Sequence, residues 1–346
     1  MPKPRICVIG FPSILGGADT ELLQQSKIWL KMGVEVHFIH HSQYSPTATV
    51  IIDDVKSLGA IVHEAKDFSK IDGMPCISYC AGPALAQIEE IRKYTETFIF
   101  VNCMTWLFPK EKEHITSGAI THNLYQRQQV LDKHKKELMA LNSSLSMDLV
   151  KPYFDTAPFP MIDRSGKEYN KTFKFGRIHR ADAGKFHPDT LGIYNTMVAP
   201  VLKEGKILGM KPDIAKKIGT PPTWITAYKE NGIPQSEFYK FAKAIIQPCD
   251  PGHTENLPRI SFEAMSSGSL LVVDDKGGFQ DQVIHGETGW LCKDHREFIY
   301  YGSRVAYEHD ETARMAANAR QYLEDNWGET ATIKGWTSYF EKIGVL

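Results

Sequence analysis

Long apolar runs are missing from this 346-residue chain: no stretch approaches the roughly eighteen apolar residues of a membrane-spanning helix. The N-terminus, MPKPRICVIGF, runs straight into a strand-like segment and lacks the longer apolar core of a secretory leader, so a cytoplasmic location is expected. A dominant charge is missing too. Forty Lys and Arg stand against 41 Asp and Glu, a formal net charge of −1, which gives no global electrostatic case for nucleic acid and leaves only a local basic groove to hold one. The six cysteines (Cys7, Cys76, Cys80, Cys103, Cys249 and Cys292) form no C-x-x-C pair, and several lie in apolar strand-like runs. They read as buried reduced thiols, not as a disulfide frame or a zinc site. Internal repeats and low-complexity segments are absent. So is G-x-G-x-x-G: after the first apolar run come Gly10 and then Gly16-Gly17 at the wrong spacing, and the second run ends His40-His41-Ser42 with no acid for a ribose. That excludes a dinucleotide oxidoreductase. A G-x-S-x-G elbow is also lacking, which removes the Ser-His-Asp hydrolases that depend on it.

What the chain does have is apolar material for two cores: 42% of its residues are hydrophobic and 23% charged, over a length that favours two domains of about 150 residues. Arg5–Phe11 is a near-continuous apolar run suited to a buried parallel strand. A loop, the helical stretch ELLQQSKIWLKMG ending at Gly33, and a second run Val34–His40 complete a strand–loop–helix–strand unit. Further strands are expected at Ala60–Val62, Cys76–Tyr79, Phe98–Asn102 and Leu149–Phe154, with a long polar helix over Leu124–Leu141. Phe159–Lys171 is polar and turn-rich and reads as a linker. A second series follows at Thr172–Ile178, Ile207–Met210, Trp224–Ala227, Ala244–Gln247, Leu270–Asp274 and Gly289–Cys292, separated by helical stretches, and from about Asn326 a Trp-containing amphipathic helix closes the chain. Alternation of this kind predicts parallel sheets, with ligands bound beyond the carboxyl ends of the strands.

The loops after strands hold the chemistry-bearing residues. Thr254–Gly268, TENLPRISFEAMSSG, carries Glu255 in a polar loop and Glu263 inside a short apolar helical pattern. Pro258 suits the opening of that helix, whose N–H groups and dipole favour an anion. A loop carboxylate, a helix N-terminus and a helix carboxylate together suit a sugar, a phosphate and a ribose. FGRIHRADAGKFHPD (175–189) follows a strand and gathers Arg177, Arg180 and Lys185 in its loop. Gly16-Gly17, before the first helix, reads either as a plain capped turn or as a close backbone approach to a ligand. Asp274-Asp275 ends an apolar strand and precedes Gly277-Gly278, so turn chemistry accounts for it better than a metal site, and no metal is expected.

The order of these segments, continuing through EAMSSGSLLVVDDKGGFQDQVIHGETGWL, resembles the retaining glycosyltransferases of GT-B fold, in particular family 4 (glycosyl transferases group 1), with its E-x7-E element. The resemblance implies an α/β protein of two Rossmann-like, doubly wound parallel-sheet domains facing across a cleft. The domains would be an acceptor-side domain over 1–165, a nucleotide-sugar donor domain over 166–325, and a C-terminal helix over 326–346 crossing back to the first domain. It implies metal-independent transfer of a hexose, with retention, from a nucleotide diphosphate sugar to a hydroxyl acceptor, without a cofactor. Arg180, Lys185 and Glu255 would be catalytic, Arg180 with Lys185 stabilising the departing diphosphate and Arg177 standing as the rival for that place; Gly16, Gly17, Arg177, Asn256, Leu257 and Glu263 would bind the donor. Gly277 and Gly278 would bring backbone near the nucleotide. The chain departs from the pattern in two places. Its loop reads Glu255-Asn256-Leu257-Pro258 where the family has a glycine-containing one, and Cys103-Met104-Thr105 stand where many members carry a sugar-contacting histidine, His122 coming later. A nucleotide-sugar epimerase or a non-catalytic sugar-nucleotide binder of the same fold is the alternative. The acceptor remains open among glycan, lipid, small molecule and modified nucleic acid.

Overall fold

The computed structural model of the chain describes residues 3–10, 17–42, 46–164 and 166–346. It divides into two compact units, Met1–Asp155 with Asn326–Leu346, and Thr156–Asp325. Among the described residues no helix is long and apolar enough to cross a membrane.

The first unit is built on strands β1 (Arg5–Ile9), β2 (Glu35–Ile39), β3 (Ile61–Val62), β4 (Cys76–Tyr79), β5 (Phe98–Asn102), β6 (His122–Tyr125) and β7 (Ser146–Leu149), in the order β3-β2-β1-β4-β5-β6-β7. Every pairing is parallel. Side chains alternate across a strand, so β1 serves two cores. Ile6 and Val8 join Trp29 and Trp336 on one face, while Cys7 and Ile9 join Phe98 and Phe100 on the other. Burial on both faces is why such a strand reads as an unbroken apolar run. The closing helix Glu329–Lys342 belongs to this unit: Trp336 meets Trp29 of the helix Gly17–Lys31 edge to face, with ring centroids 5.0 Å apart.

Two expectations fail here. Leu124 and Tyr125 are the end of β6, and the helix starts only at Gln128. The last strand lies at Ser146–Leu149, not Leu149–Phe154, because it is a half-exposed edge strand whose polar residues leave no continuous apolar run.

The second unit carries β8 (Thr172–Ile178), β9 (Leu202–Leu208), β10 (Ile225–Tyr228), β11 (Ala244–Gln247), β12 (Leu270–Asp274) and β13 (Gly289–Cys292), ordered β10-β9-β8-β11-β12-β13 and again wholly parallel. One large core, including Phe175, Tyr194, Ile246, Val272 and Phe298, packs one face. Phe159–Lys171 is no bare linker. Arg164 is buried and donates to the carbonyls of Ser267 (2.8 Å) and Tyr239 and to the Ser269 hydroxyl (3.2 Å), which ties the segment to the second unit.

Candidate functional site

In the second sheet, β8 and β11 lie side by side, but the chain leaves β8 towards β9 and leaves β11 towards β12. Connections diverge at such a switch point and open a crevice beyond the carboxyl ends of the strands. Three loops meet there: residues 179–187 after β8, 248–258 after β11, and 275–278 after β12.

Arg177, the penultimate residue of β8, is fully buried beneath them. Its guanidinium lies over the Phe186 ring at 4.2 Å, and donates to the carbonyls of Pro248 (2.8 Å) and Lys185 (2.7 Å). It clasps the first two loops together. This placement is at odds with the donor-binding role expected for Arg177, because both terminal nitrogens are already committed to backbone oxygens. Arg180, two residues beyond β8, is exposed and makes no ion pair among the described residues.

Lys185 ends a single 3-10 turn, Ala183–Lys185, whose start is capped by the Asp182 carboxylate accepting from the Gly184 N–H at 2.8 Å. Its ammonium donates to Glu255 Oε1 at 2.6 Å, and the two side chains are only 10% and 15% exposed. The same Oε1 accepts from His253 Nε2 at 3.0 Å, and His179 Nε2 stands 3.9 Å away. Burial works against the Glu255 charge, but the His253 hydrogen bond and the Lys185 cation outweigh it and hold the carboxyl far below its ordinary range. His179 goes the other way. Burial, then the neighbouring Arg177 and Lys185 cations, push it well below the usual imidazole value. It is a neutral ring whose Nε2 accepts from Gln247 Nε2 at 2.7 Å.

The loop bearing Glu255 is braced from several sides. Asp274 accepts from the Cys249 N–H at 2.7 Å, Lys217 bonds the Asp250 carboxylate at 2.5 Å, and Lys276 bonds the Asp250 carbonyl at 2.8 Å. Gly277 and Gly278 press against the same loop. A Cβ on Gly278 would lie 1.7 Å from the Asn256 carbonyl oxygen, and one on Gly277 2.6 Å from that of Glu255. The Gly278 N–H donates to the Glu255 carbonyl at 2.9 Å. The close approach that these glycines permit is therefore to the chain's own acid loop, whereas the sequence suggested approach to a nucleotide. Asn256 and Leu257 are half-buried in that loop.

Pro258 stands just before the helix Arg259–Ser267, as the helix-opening reading requires. Glu263, inside the helix, is buried, accepts from the Tyr239 hydroxyl at 2.8 Å, and is pushed above the normal carboxylate value by burial, which Arg259 and Tyr239 offset only in part. Of the expected residues, Lys185 and Glu255 are in direct contact, and Glu263 follows on the helix that leaves their loop.

The first unit offers less. Gly16 lies outside the described residues, and Gly17 opens its helix. Near the carboxyl edge of that sheet, Glu21 accepts from the Tyr79 hydroxyl and the Gln126 amide, all three buried. His122 begins β6, at the opposite edge, where it bonds Thr121 at 2.9 Å and packs edge-on to Tyr339. Among the described residues no group of three His, Cys, Asp or Glu side chains is placed to hold a metal ion. Sequence reasoning passed over His179, His253, Gln247 and Tyr239. His179 lies inside the segment 175–189, but its partner Gln247 comes from a distant strand; His253 stands just before the segment 254–268, two residues from its partner Glu255.

Residues 232–322 match the family model described as glycosyl transferases group 1. Spore coat protein SA of Bacillus subtilis (strain 168) is 24% identical over 123 residues, a match spanning 35% of this chain and 32% of that protein. The chain thus spans about a third of that curated relative's length. Solved structures match along nearly the whole chain. Anabaena Alr3699/HepE, in complex with UDP-glucose, superposes with a TM-score of 0.71 at 12% identity, covering 98% of this chain and 99% of that one. A glycosyltransferase from Rickettsia africae ESF-5 does so with a TM-score of 0.75 at 11% identity, covering 99% of each. The two parallel-sheet α/β units are those of the GT-B fold.

Proposed function

We propose that this chain, with the group 1 glycosyl transferase segment in its second unit, is a glycosyltransferase that moves a hexose from a nucleotide diphosphate sugar to a hydroxyl acceptor with retention of configuration. The observation that carries the reading is the Lys185–Glu255 contact at the switch point of the second sheet, a cation and a carboxylate 2.6 Å apart on loops that leave β8 and β11. A diphosphate leaving group gains negative charge as its bond to the sugar breaks, and a fixed cation in a sheltered crevice stabilises that change. Lys185 and the exposed Arg180 supply it. Glu255 contacts the transferring sugar, Glu263 takes the ribose hydroxyls, and the backbone of Asn256 and Leu257 faces phosphate or sugar.

The bond between the anomeric carbon and the phosphate oxygen breaks while the acceptor oxygen bonds the same face of that carbon. The departing phosphate oxygen takes the acceptor's proton, so no separate protein base is required. The reading includes no metal and no cofactor, membership of family 4 and a cytoplasmic location.

Thermal shift with UDP-glucose, UDP-N-acetylglucosamine, UDP-galactose, GDP-mannose and ADP-glucose tests the donor, since a bound ligand raises apparent stability. Release of nucleoside diphosphate from the donor that binds tests the transfer. A donor returned with an altered sugar would make the protein an epimerase, and stabilisation without turnover over a panel of acceptors would make it a binder.

A further inference from the structure

Two donors hold one oxygen of Glu255. Lys185 Nζ is 2.6 Å from Oε1 and His253 Nε2 is 3.0 Å, while the His179 ring, whose Nε2 accepts from Gln247, stands 3.9 Å away. Among the described residues nothing hydrogen-bonds Oε2. A carboxylate has about four lone-pair sites shared between its two oxygens. Here one oxygen is saturated and the other left for something else.

We propose that His253 is a positioning residue: it holds Oε1 so that Oε2 stays aimed to accept a hydroxyl of the transferring sugar. The inference rests on the sugar-transfer reading above. The architecture around His253 supports it. The turn Asp250–His253 is fastened by the His253 N–H to the Asp250 carbonyl (2.9 Å) and by the Gly252 N–H to the Asp250 carboxylate (2.9 Å). Lys217 and Lys276 brace Asp250 from outside. The turn that braces the Glu255 loop thus also delivers the imidazole to Glu255.

Its purpose becomes evident when a diphosphate arrives. Lys185 is drawn towards the phosphate oxygens, and its bond to Oε1 weakens. His179 is neutral, too far for a hydrogen bond, and already accepts from Gln247. His253 is then the group that keeps the carboxylate in place. Loss of a hydrogen bond to a charged group of this kind costs roughly 10- to 100-fold.

The test uses the full chain and the sugar nucleotide giving the largest thermal shift in the panel above. Release of nucleoside diphosphate is measured for wild type, His253→Ala, His253→Gln, Glu255→Gln and the double variant His253→Ala/Glu255→Gln, with the Kd for the free nucleoside diphosphate measured alongside. The expected result is a kcat for His253→Ala about 10- to 100-fold lower with the nucleoside diphosphate Kd unchanged. His253→Gln, whose amide still donates, recovers most of the rate. In the Glu255→Gln background His253→Ala has no further effect, since residues acting through one group are not additive.

Wild-type kcat in His253→Ala overturns the proposal, and so does a full additional loss in the double variant. So does a weakened nucleoside diphosphate Kd matching the loss in rate, which would mark a collapsed loop. If no member of the panel, and none of the free nucleoside diphosphates, stabilises wild type, the sugar-transfer reading falls and this inference with it. A stabilised, active wild type with an indifferent His253 removes this inference alone.

Discussion

Arg177 and Lys185 are joined through backbone: the guanidinium donates to the Lys185 carbonyl at 2.7 Å, while the Lys185 ammonium points away to Glu255. The buried arginine fixes where the Lys185 side chain starts. A substitution at either cation therefore has a different signature, although both lie within one short segment.

Arg177→Ala strips partners from two carbonyls and removes the ring contact with Phe186. Unfolding in urea should show a loss of about 3 kcal/mol or more. Arg177→Lys should not restore it, because an ammonium cannot reproduce the forked geometry. Arg180→Ala should leave stability within about 0.5 kcal/mol while lowering turnover about 100-fold or more. A destabilised Arg180→Ala, or a stable and inactive Arg177→Ala, would reverse the two roles.

The two glutamates should respond to pH with opposite sign. Glu255 is held below its unfolded value, so it contributes stability above about pH 4.3 that is lost as pH falls towards its native pKa. Glu255→Gln should be less stable than wild type at pH 7, and the gap should narrow in acid. Glu263 is raised above its unfolded value by burial, so above about pH 4.3 the unfolded chain loses its proton more readily and gains an advantage. Glu263→Gln, still able to accept from Tyr239, should have a higher Tm than wild type at neutral pH and lose that margin below about pH 4.3, with weaker donor binding throughout. Melting curves from pH 3 to pH 8 would check both signs.

Gly278→Ala places a methyl group on the Asn256 carbonyl and must displace the acid loop. A loss of about 2–4 kcal/mol in denaturant unfolding is expected, together with a fall in turnover larger than that of Gly335→Ala, where no atom lies within 4 Å of the added carbon. Equal effects of the two substitutions would mean that the glycine turn does not set the acid loop.

Strands buried on both faces were legible in the amino-acid order: Thr172–Ile178, Ala244–Gln247, Leu270–Asp274 and Gly289–Cys292 stand where their apolar runs lie. Strand β6, HNLY, was not, since His122 and Asn123 break the run and the following polar helix absorbs its end. In the site, the loop positions of Lys185 and Glu255 could be read because spacing along the chain is local information. The commitment of Arg177 could not. It depends on Pro248, which reaches it only because β8 and β11 are neighbours in the sheet. His179 was hidden for the same reason: it follows β8, and its partner Gln247 ends β11. His253 stands only two residues from Glu255, but spacing alone does not say that its ring turns onto that carboxylate.

Trp336 sits in the last helix, yet it completes the packing around Trp29 in the first. During synthesis the second unit is a single uninterrupted stretch that is complete before Trp336 is added. The first unit, although begun earlier, must wait with part of its core uncovered until the helix Glu329–Lys342 has been made. Its early-made half is the part of the newborn chain most exposed to aggregation, and the stretch on which a chaperone would have to act longest.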